Sequence, residues 1–163
     1  EIGYHLNENE ISALYERFIA LADRKKEVFE DDLRVLVVAM QDKTFEVFHL
    51  DAVRTSSTDP AMAYVRLKKG DVELMDTSTG DGPVDAAFQA VDRITGVSGV
   101  LKEFSIRAAS PGKDALGEAH VVVAFEDSKK TFTGTGASTD IIEAAVQAYV
   151  NAVNKRLALQ NVH

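Results

Sequence analysis

Hydrophobic and polar residues alternate over three successive stretches of this chain, and a second set of three such stretches follows. A period of two, interrupted by turn-forming Gly, Pro and Asp residues, predicts short strands with one buried face. The first set covers 46–55, 61–67 and 72–77, and the second covers 100–109, 118–125 and 130–135. Each set is followed by apolar residues at helical spacing. These residues are Val84, Ala87, Phe88 and Val91 after the first set, and Ile142, Ala145, Val146 and Tyr149 after the second.

Residues of similar type also recur at a fixed offset between the two sets, which indicates an internal duplication. At an offset of 56 positions, Phe48, Leu50 and Ala52 match Phe104, Ile106 and Ala108. The same offset relates Ala63, Val65 and Leu67 to Ala119, Val121 and Val123, and Thr77, Thr79 and Gly80 to Thr133, Thr135 and Gly136. The offset becomes 58 for the pair 85–90 and 143–148. Alternation places Phe48, Leu50 and Ala52 on one face of the first strand, with His49, Asp51 and Val53 on the other.

These patterns predict an α+β fold of two pseudo-symmetric βββα units. Each unit is an antiparallel three-stranded sheet with one helix, because an alternating sheet has one apolar face that must be covered. We assign the main domain to residues 44–163, with unit one at 44–97 and unit two at 98–163. Residues 1–43 are predicted to form a small helical subdomain.

The sequence of the helical subdomain predicts two short helices. Asn7 and Glu10 have the spacing of a helix N-cap and its reciprocal acid. The expected buried positions are Ile11, Leu14, Tyr15, Phe18 and Leu21 in the first helix, and Leu33, Leu36, Val37 and Met40 in the second. Two interpretations remain open at this point: a helical hairpin on the main domain, or helices that pack on a partner or on another part of a longer protein.

Composition and residue spacing disfavour several classes of function. A net charge of -8 disfavours a nucleic-acid surface, and no apolar run is long enough to cross a membrane. The absence of cysteine is compatible with a cytoplasmic protein. The four histidines lack metal-ligand spacing, and no nucleophile–base pair is evident. We therefore expect neither a catalytic centre nor a metal site in this chain, and a stand-alone enzyme is disfavoured.

Two glycine-containing corners precede the predicted helices. In the first, at 79–85, Gly80 and Gly82 lead to Pro83, which suits the first turn of a helix. The helix N-terminus attracts an anion such as a carboxylate, and Asp81 and Asp85 could accept hydrogen bonds from a cationic group. Together they would suit an α-amino acid; the alternative is a plain helix cap with a tight turn.

The second corner, at 134–140, carries a possible helix cap in Ser138 or Thr139. It lacks the Gly-Lys-Ser/Thr sequence of a phosphate-binding loop and the third glycine of a dinucleotide-binding motif. Capping alone is the alternative to a ligand-binding role here too.

The corner sequences, 79–87 and 134–144, resemble the C-terminal regulatory domain of 2-isopropylmalate synthases, which some citramalate synthases share. Residues 3–36 also resemble the helical linker that precedes this domain. The likeness covers nearly the whole chain. It implies two βββα units, a homodimer and an amino-acid effector near the dimer interface. The effector is leucine in 2-isopropylmalate synthases and isoleucine in citramalate synthases of this type.

The resemblance also implies a parent enzyme that condenses acetyl-CoA with 2-oxoisovalerate in an N-terminal (β/α)8 barrel with a divalent metal. We expect that barrel to be absent here, so no catalytic residue is transferred. The effector-binding residues implied by the family motifs are Asp81, Gly82, Pro83, Val84, Asp85, Leu101, Phe104, Ala108, Ala137, Ser138 and Thr139. Alternatives are a citramalate synthase domain that binds isoleucine, and a dimerisation module without a ligand.

Overall fold

The computed structural model describes residues 5–25, 27–41, 46–126 and 128–160. Two helices come first, α1 (Glu8–Arg24) and α2 (Glu30–Gln41). The first unit consists of β1 (His49–Ser56), β2 (Ala61–Lys69), β3 (Val72–Gly80) and α3 (Pro83–Thr95). The second consists of β4 (Gly99–Ala108), β5 (Gly117–Phe125), β6 (Thr131–Ser138) and α4 (Ile141–Gln160).

Each unit is an antiparallel sheet in sequence order, β1-β2-β3 in the first and β4-β5-β6 in the second. Helix α3 packs on β2 and β3, and α4 packs on β5 and β6. This arrangement confirms the predicted α+β fold of two βββα units. In both middle strands the predicted alternation holds, since buried residues such as Val65 and Val121 alternate with less buried ones.

Helix α4 is buried around most of its circumference because it also contacts β1 of the other sheet. Two glycines of β6 allow its close approach. A Cβ atom on Gly134 would lie 1.9 Å from the Ala148 carbonyl oxygen, and one on Gly136 would lie 2.3 Å from that of Ala144. The residues of both sheets and both helices therefore form one hydrophobic core.

The duplication is real, but its offset differs from strand to strand. Val53 pairs with Val65 in unit one, and Phe104 pairs with Val121 in unit two, so the first strands are related by 51 positions and the middle strands by 56. The third strands share the helices' offset of 58, since Gly80 and Ser138 end β3 and β6. Longer connections in unit two cause these differences.

Several of the residue matches made from sequence are therefore wrong. Phe48, Leu50 and Ala52 do not correspond to Phe104, Ile106 and Ala108, nor do Thr77, Thr79 and Gly80 correspond to Thr133, Thr135 and Gly136. A single offset cannot follow a duplication whose connecting loops differ in length.

The predicted alternation of β1 is also wrong beyond Leu50. The register of β1 shifts between Leu50 and Ala52, which is a β-bulge at Asp51. Leu50 and Val53 consequently pair with the buried residues Leu67 and Val65, and Ala52 points to the opposite face. Strand β4 has the equivalent bulge between Leu101 and Glu103.

Helices α1 and α2 pack on the second unit. The predicted capping box of α1 is confirmed, since Asn7 and Glu10 bond to each other's backbone N–H. Leu21, Val35 and Leu36 form a buried cluster with Leu116 from the β4–β5 loop. This contact supports the hairpin interpretation.

Only some of the positions expected to be buried in α1 and α2 are buried. In α1, Ile11 and Tyr15 are 54% and 63% exposed, and Leu14 and Phe18 are partly buried. In α2, Leu36 and Val37 are buried and Leu33 is partly buried. The Met40 side chain lies outside the described part of the structure, as do residues 42–45 around the predicted domain boundary.

A buried ion pair connects α1 with α2, and a hydrogen bond to Ser110 connects this pair with the main domain. Lys25 Nζ lies 2.8 Å from Asp32 Oδ2 and donates a 2.6 Å hydrogen bond to Ser110 Oγ. The Phe29 N–H also donates to Asp32 Oδ2. Burial opposes the ionisation of Asp32, but the hydrogen bonds from Lys25, Phe29 and Ser110 hold its pKa below the usual value.

No helix in the described part of the chain is both long and apolar enough to span a bilayer.

Candidate functional site

The first corner is shaped by a close approach between backbone and helix. A Cβ atom on Gly80 would lie 2.5 Å from both the Ala86 nitrogen and Asp85 Oδ2, so only glycine fits there. Asp85 Oδ2 accepts hydrogen bonds from the Asp81 N–H at 2.9 Å and from Gln89 Nε2 at 2.8 Å. The Asp85 carboxylate is thereby held in a fixed orientation at the first turn of α3.

The N-terminus of α3 has no side-chain cap. Gly82 is its N-cap residue and Pro83 is its first residue, so the N–H groups of Val84 and Asp85 remain for another acceptor. At the equivalent place in unit two, Asp140 Oδ1 accepts the N–H groups of Ile142 and Glu143.

The cap of α4 corrects the expectation that Ser138 or Thr139 would provide it. Ser138 Oγ instead accepts the Asp140 N–H, which makes Asp140 the residue that bonds to the first turn. Because helix α4 begins at Ile141, the capping position falls on Asp140 rather than on the hydroxyl residues before it.

A cavity of about 150 Å³ lies between α3 and β4. Its lining residues are Val84, Asp85, Phe88, Gln89, Asp92, Gly99, Leu101 and Tyr149. The Phe88 ring stacks on Tyr149 with a centroid distance of 4.3 Å, and Phe104 meets Phe88 edge-on at 6.3 Å. An engineered apolar cavity of similar volume holds a benzene-sized molecule. The aliphatic part of a small ligand would therefore fit this cavity.

Asp92 is a second carboxylate in the cavity wall. Its Oδ1 accepts a 2.7 Å hydrogen bond from the Tyr149 hydroxyl, and its Oδ2 accepts the Gly99 N–H at 3.2 Å. Burial raises the pKa of Asp92 to about 6, although these two hydrogen bonds lower it. Burial and the neighbouring Asp92 likewise raise the pKa of Tyr149. The cavity thus combines apolar walls with two acidic groups and an uncapped helix N-terminus.

The eleven residues predicted from sequence do not line one cavity within a single chain. Val84, Asp85 and Leu101 line the α3–β4 cavity, and Phe104 contacts its wall at Phe88. Asp81, Gly82 and Pro83 form the turn that leads into α3. Ala108 lines a separate cavity beside α2, and the remaining three line another beside α1: Ala137, Ser138 and Thr139.

The bulge in β4 brings two of these residues together. Strict alternation would place Leu101 and Phe104 on opposite faces of the strand. Because the register shifts between Leu101 and Glu103, Leu101 and Phe104 both lie on the face of the buried partners Val123 and Val121. Both remain substantially exposed, at 40% and 39%, since the helices cover the other strands of the sheets.

Sequence reasoning did not assign Phe88, Gln89, Asp92 or Tyr149 to the site. Phe88 and Tyr149 belong to the apolar residues at helical spacing, a pattern that predicts core positions, and they are indeed 6% and 1% exposed. One sequence signal could have pointed to these residues. The polar residues Asp85, Gln89 and Asp92 recur at helical spacing on the face of α3 that carries Phe88. Within the described ranges, no group of three or more His, Cys, Asp or Glu side chains is arranged to hold a metal ion.

Residues 27–157 match the family described as the LeuA allosteric (dimerisation) domain. Three curated relatives are each named 2-isopropylmalate synthase. The chain is 46% identical over 158 residues to the one from Methylacidiphilum infernorum, 44% over 160 to that from Carboxydothermus hydrogenoformans, and 39% over 162 to that from Campylobacter fetus. These alignments cover 96–98% of this chain but only 31–32% of each relative, so the chain spans about a third of their length.

Proposed function

The chain belongs to the LeuA allosteric (dimerisation) domain family, and we propose that it binds L-leucine as a feedback effector beside the α3–β4 cavity. The observation that carries this proposal is the uncapped N-terminus of α3 next to a cavity with apolar walls and two carboxylates. Each part of a leucine molecule has a matching group there.

The effector's carboxylate would bind at the start of α3. The N–H groups of Val84 and Asp85 lie at the positive end of the helix dipole, and Gly82 offers no competing side chain. A Cβ atom at Gly82 would meet nothing within 4 Å, so the space beside this N-cap residue is open.

The ammonium group and side chain would occupy the remainder of the site. Asp85 is a fixed acceptor for the ammonium, since Asp81 and Gln89 already orient its carboxylate. Val84, Phe88 and Leu101 provide apolar surface for a branched side chain. The relatives' shared name, 2-isopropylmalate synthase, supports leucine over isoleucine as the natural ligand.

We propose further that the chain forms a homodimer through β4. Val100, Leu101 and Phe104 are 50%, 40% and 39% exposed, and neither α3 nor α4 covers this strand as it covers the others. An apolar strand in this position is typical of an interface. Burial of Leu101 and Phe104 by a second copy would also enclose the neighbouring effector site, which links dimer geometry to ligand binding.

For the whole protein we propose the activity named in its relatives, the synthesis of 2-isopropylmalate from acetyl-CoA and 2-oxoisovalerate. The catalytic part, with its divalent metal, would lie outside this chain, in the two thirds of each relative that it does not match. Leucine could inhibit that part only by binding more tightly to one arrangement of the domains than to another. The packing of α1 and α2 on unit two provides a physical connection for such coupling.

Thermal unfolding at fixed protein concentration tests the binding proposal. A ligand present at 100 times its dissociation constant stabilises the folded state by about 2.7 kcal/mol. We expect millimolar leucine to raise the unfolding temperature more than isoleucine or valine does. A larger effect of isoleucine would indicate a citramalate synthase domain instead, and no effect of any of the three would favour a dimerisation module without a ligand.

A further inference from the structure

A second cavity, of about 290 Å³, lies between α1, β1 and the N-terminal half of α4. Arg17 and Arg24 of α1 stand on one side of it, Leu50 of β1 lies on its apolar surface, and Glu143 and Gln147 of α4 stand on another side. We propose that this cavity is a second binding site, which takes a small branched aliphatic carboxylate through Arg17 and Arg24.

The two arginines provide the charge for such a ligand. Arg17 is partly buried, and this burial lowers the pKa of its guanidinium, whereas the charge of Glu46 raises it. In the parts of the chain that the structure describes, neither Arg17 nor Arg24 makes an ion pair or a side-chain hydrogen bond. A guanidinium removed from water in this way gains from a carboxylate, which it can bind through two parallel hydrogen bonds.

The internal duplication supports the site independently. Leu50 and Leu101 are equivalent, because each directly precedes the bulge in its strand. Glu143 is likewise the third residue of α4, as Asp85 is of α3. Gln147 donates to Glu143 as Gln89 donates to Asp85, at 3.4 Å and 2.8 Å. Three residues of the second cavity, Leu50, Glu143 and Gln147, are therefore the counterparts of Leu101, Asp85 and Gln89 in the α3–β4 cavity.

The two sites differ at the position that would receive the ligand's carboxylate. Asp140 occupies the N-terminus of α4, so this helix end cannot accept a second anion. Arg17 and Arg24 of α1, which also line the cavity, take over that role. Because these arginines belong to the linker and Glu143 belongs to unit two, a ligand here would hold the linker against the domain.

The leucyl skeleton without its amino group provides a suitable probe. We would titrate the chain, labelled at its alanine and valine methyl groups, with 4-methylpentanoate and separately with 4-methylpentylamine. Ala20 and Ala137 line the second cavity, and Val84 lines the first. The acid is expected to shift the Ala20 and Ala137 signals to saturation, whereas the amine, which lacks a carboxylate, is not.

Substitution of the arginines completes the test. Arg17→Gln should weaken the acid-dependent shifts at Ala20 and Ala137 about tenfold or more, because a hydrogen bond to a charged group contributes roughly 1.5–3 kcal/mol. Arg17→Lys should retain part of the affinity. Arg24→Gln, at an exposed position, should also weaken binding and gives a second test if Arg17→Gln folds poorly.

The proposal is overturned if the acid produces no saturable shift at Ala20 and Ala137, or if both glutamine variants bind it as tightly as the original chain. The leucine response of Val84 separates this result from the function proposed above. Arg17→Gln should leave that response unchanged, because Arg17 does not line the α3–β4 cavity.

Discussion

Gly82 and Asp140 occupy equivalent positions, each immediately before the first residue of a helix, and only Asp140 caps its helix with a side chain. The duplication thus produced two helix N-termini with opposite properties. The N-terminus of α4 is closed by a carboxylate of the chain itself. The N-terminus of α3 is left to an external acceptor, beside a cavity that suits an aliphatic side chain.

Gly82→Asp should convert the first corner into a copy of the second. The backbone of Gly82 is extended, with φ at -155°, and a Cβ atom there meets no neighbour, so the substitution is sterically tolerated. The new carboxylate would cap α3 and raise the free energy of unfolding by a few tenths of a kcal/mol. Calorimetric titration should show that leucine affinity falls about tenfold or more, because the ligand's carboxylate then meets a like charge.

Asp140→Ala is the matched control for this experiment. It removes the cap of α4 and should lower the free energy of unfolding by about 1 kcal/mol. Leucine affinity should be retained, since Asp140 does not line the α3–β4 cavity. If Gly82→Asp binds leucine as well as the original chain does, the effector's carboxylate does not lie at the start of α3.

Phe104→Glu should dissociate the proposed dimer. The Phe104 side chain is 39% exposed on β4 and contacts Phe88 at its edge. A charge at the centre of an apolar interface commonly costs 2 kcal/mol or more, which is a roughly thirtyfold or greater rise in the dimer dissociation constant. Sedimentation velocity measures this change.

Met75→Glu places the same charge on a residue of β3 that is 53% exposed, and it serves as the control. We expect this variant to remain a dimer. If Phe104→Glu remains folded and sediments as the original chain does, the interface lies elsewhere on the molecule.

Asp92 should make stability depend on pH between about 4 and 6. Its pKa is raised to about 6 in the folded protein, against an ordinary value of 3.8. The folded state therefore binds a proton that the unfolded state has released, so the free energy of unfolding falls as pH rises through this window. After allowance for partial solvent screening the decrease should be about 1–2 kcal/mol.

Urea unfolding of the original chain and of Asp92→Asn, compared at several pH values, isolates this contribution from other carboxyl groups. The difference between the two should change between pH 4 and 6 and stay constant above about 7. Tyr149→Phe removes a hydrogen bond that favours the charged form of Asp92, so it should move the window upward. A difference that is flat across the window would mean that Asp92 titrates normally.

The Lys25–Asp32 pair should determine whether the linker helices stay attached. Both side chains are fully buried, so Lys25→Met would leave an unpaired buried carboxylate at a cost of roughly 3–5 kcal/mol. Hydrogen exchange of α2 should then accelerate by about 100-fold or more. Lys25→Met combined with Asp32→Leu should restore most of the protection, because neither charge remains.

The exposed pair Arg34–Glu30 offers a control within the same helix. Its side chains are 49% and 66% exposed, so Arg34→Met should cost no more than about 0.5 kcal/mol. Equal exchange rates in Lys25→Met and Arg34→Met would show that the buried pair does not fix the linker.

Local patterns were sufficient to predict the elements of this fold. Alternation in β2 and β5, the start of α3 at Pro83 and the Asn7–Glu10 capping box each depend on residues close in sequence, and the structure bears them out. The number and kind of elements in each unit followed from these signals alone.

Features that depend on distant residues could not be predicted in this way. The bulges at Asp51 and Lys102 become visible only when each strand is paired with its neighbour, and they decide which side chains share a face. Nothing in the local sequence distinguishes Lys25 and Asp32 from solvated charged residues, because they are buried with Ser110, which lies 85 positions from Lys25. For the same reason the contact between Asp92 and Tyr149, which lie 57 positions apart, is visible only in the folded structure.

A leucine titration followed through the methyl signals of Val84 and Leu101 tests the central claim most directly. These residues both line the α3–β4 cavity and belong to different elements, Val84 to α3 and Leu101 to β4. We predict that both signals shift to saturation with one common dissociation constant. If neither signal responds to millimolar leucine while the chain remains folded and dimeric, leucine does not bind at this site and the account of the effector is wrong.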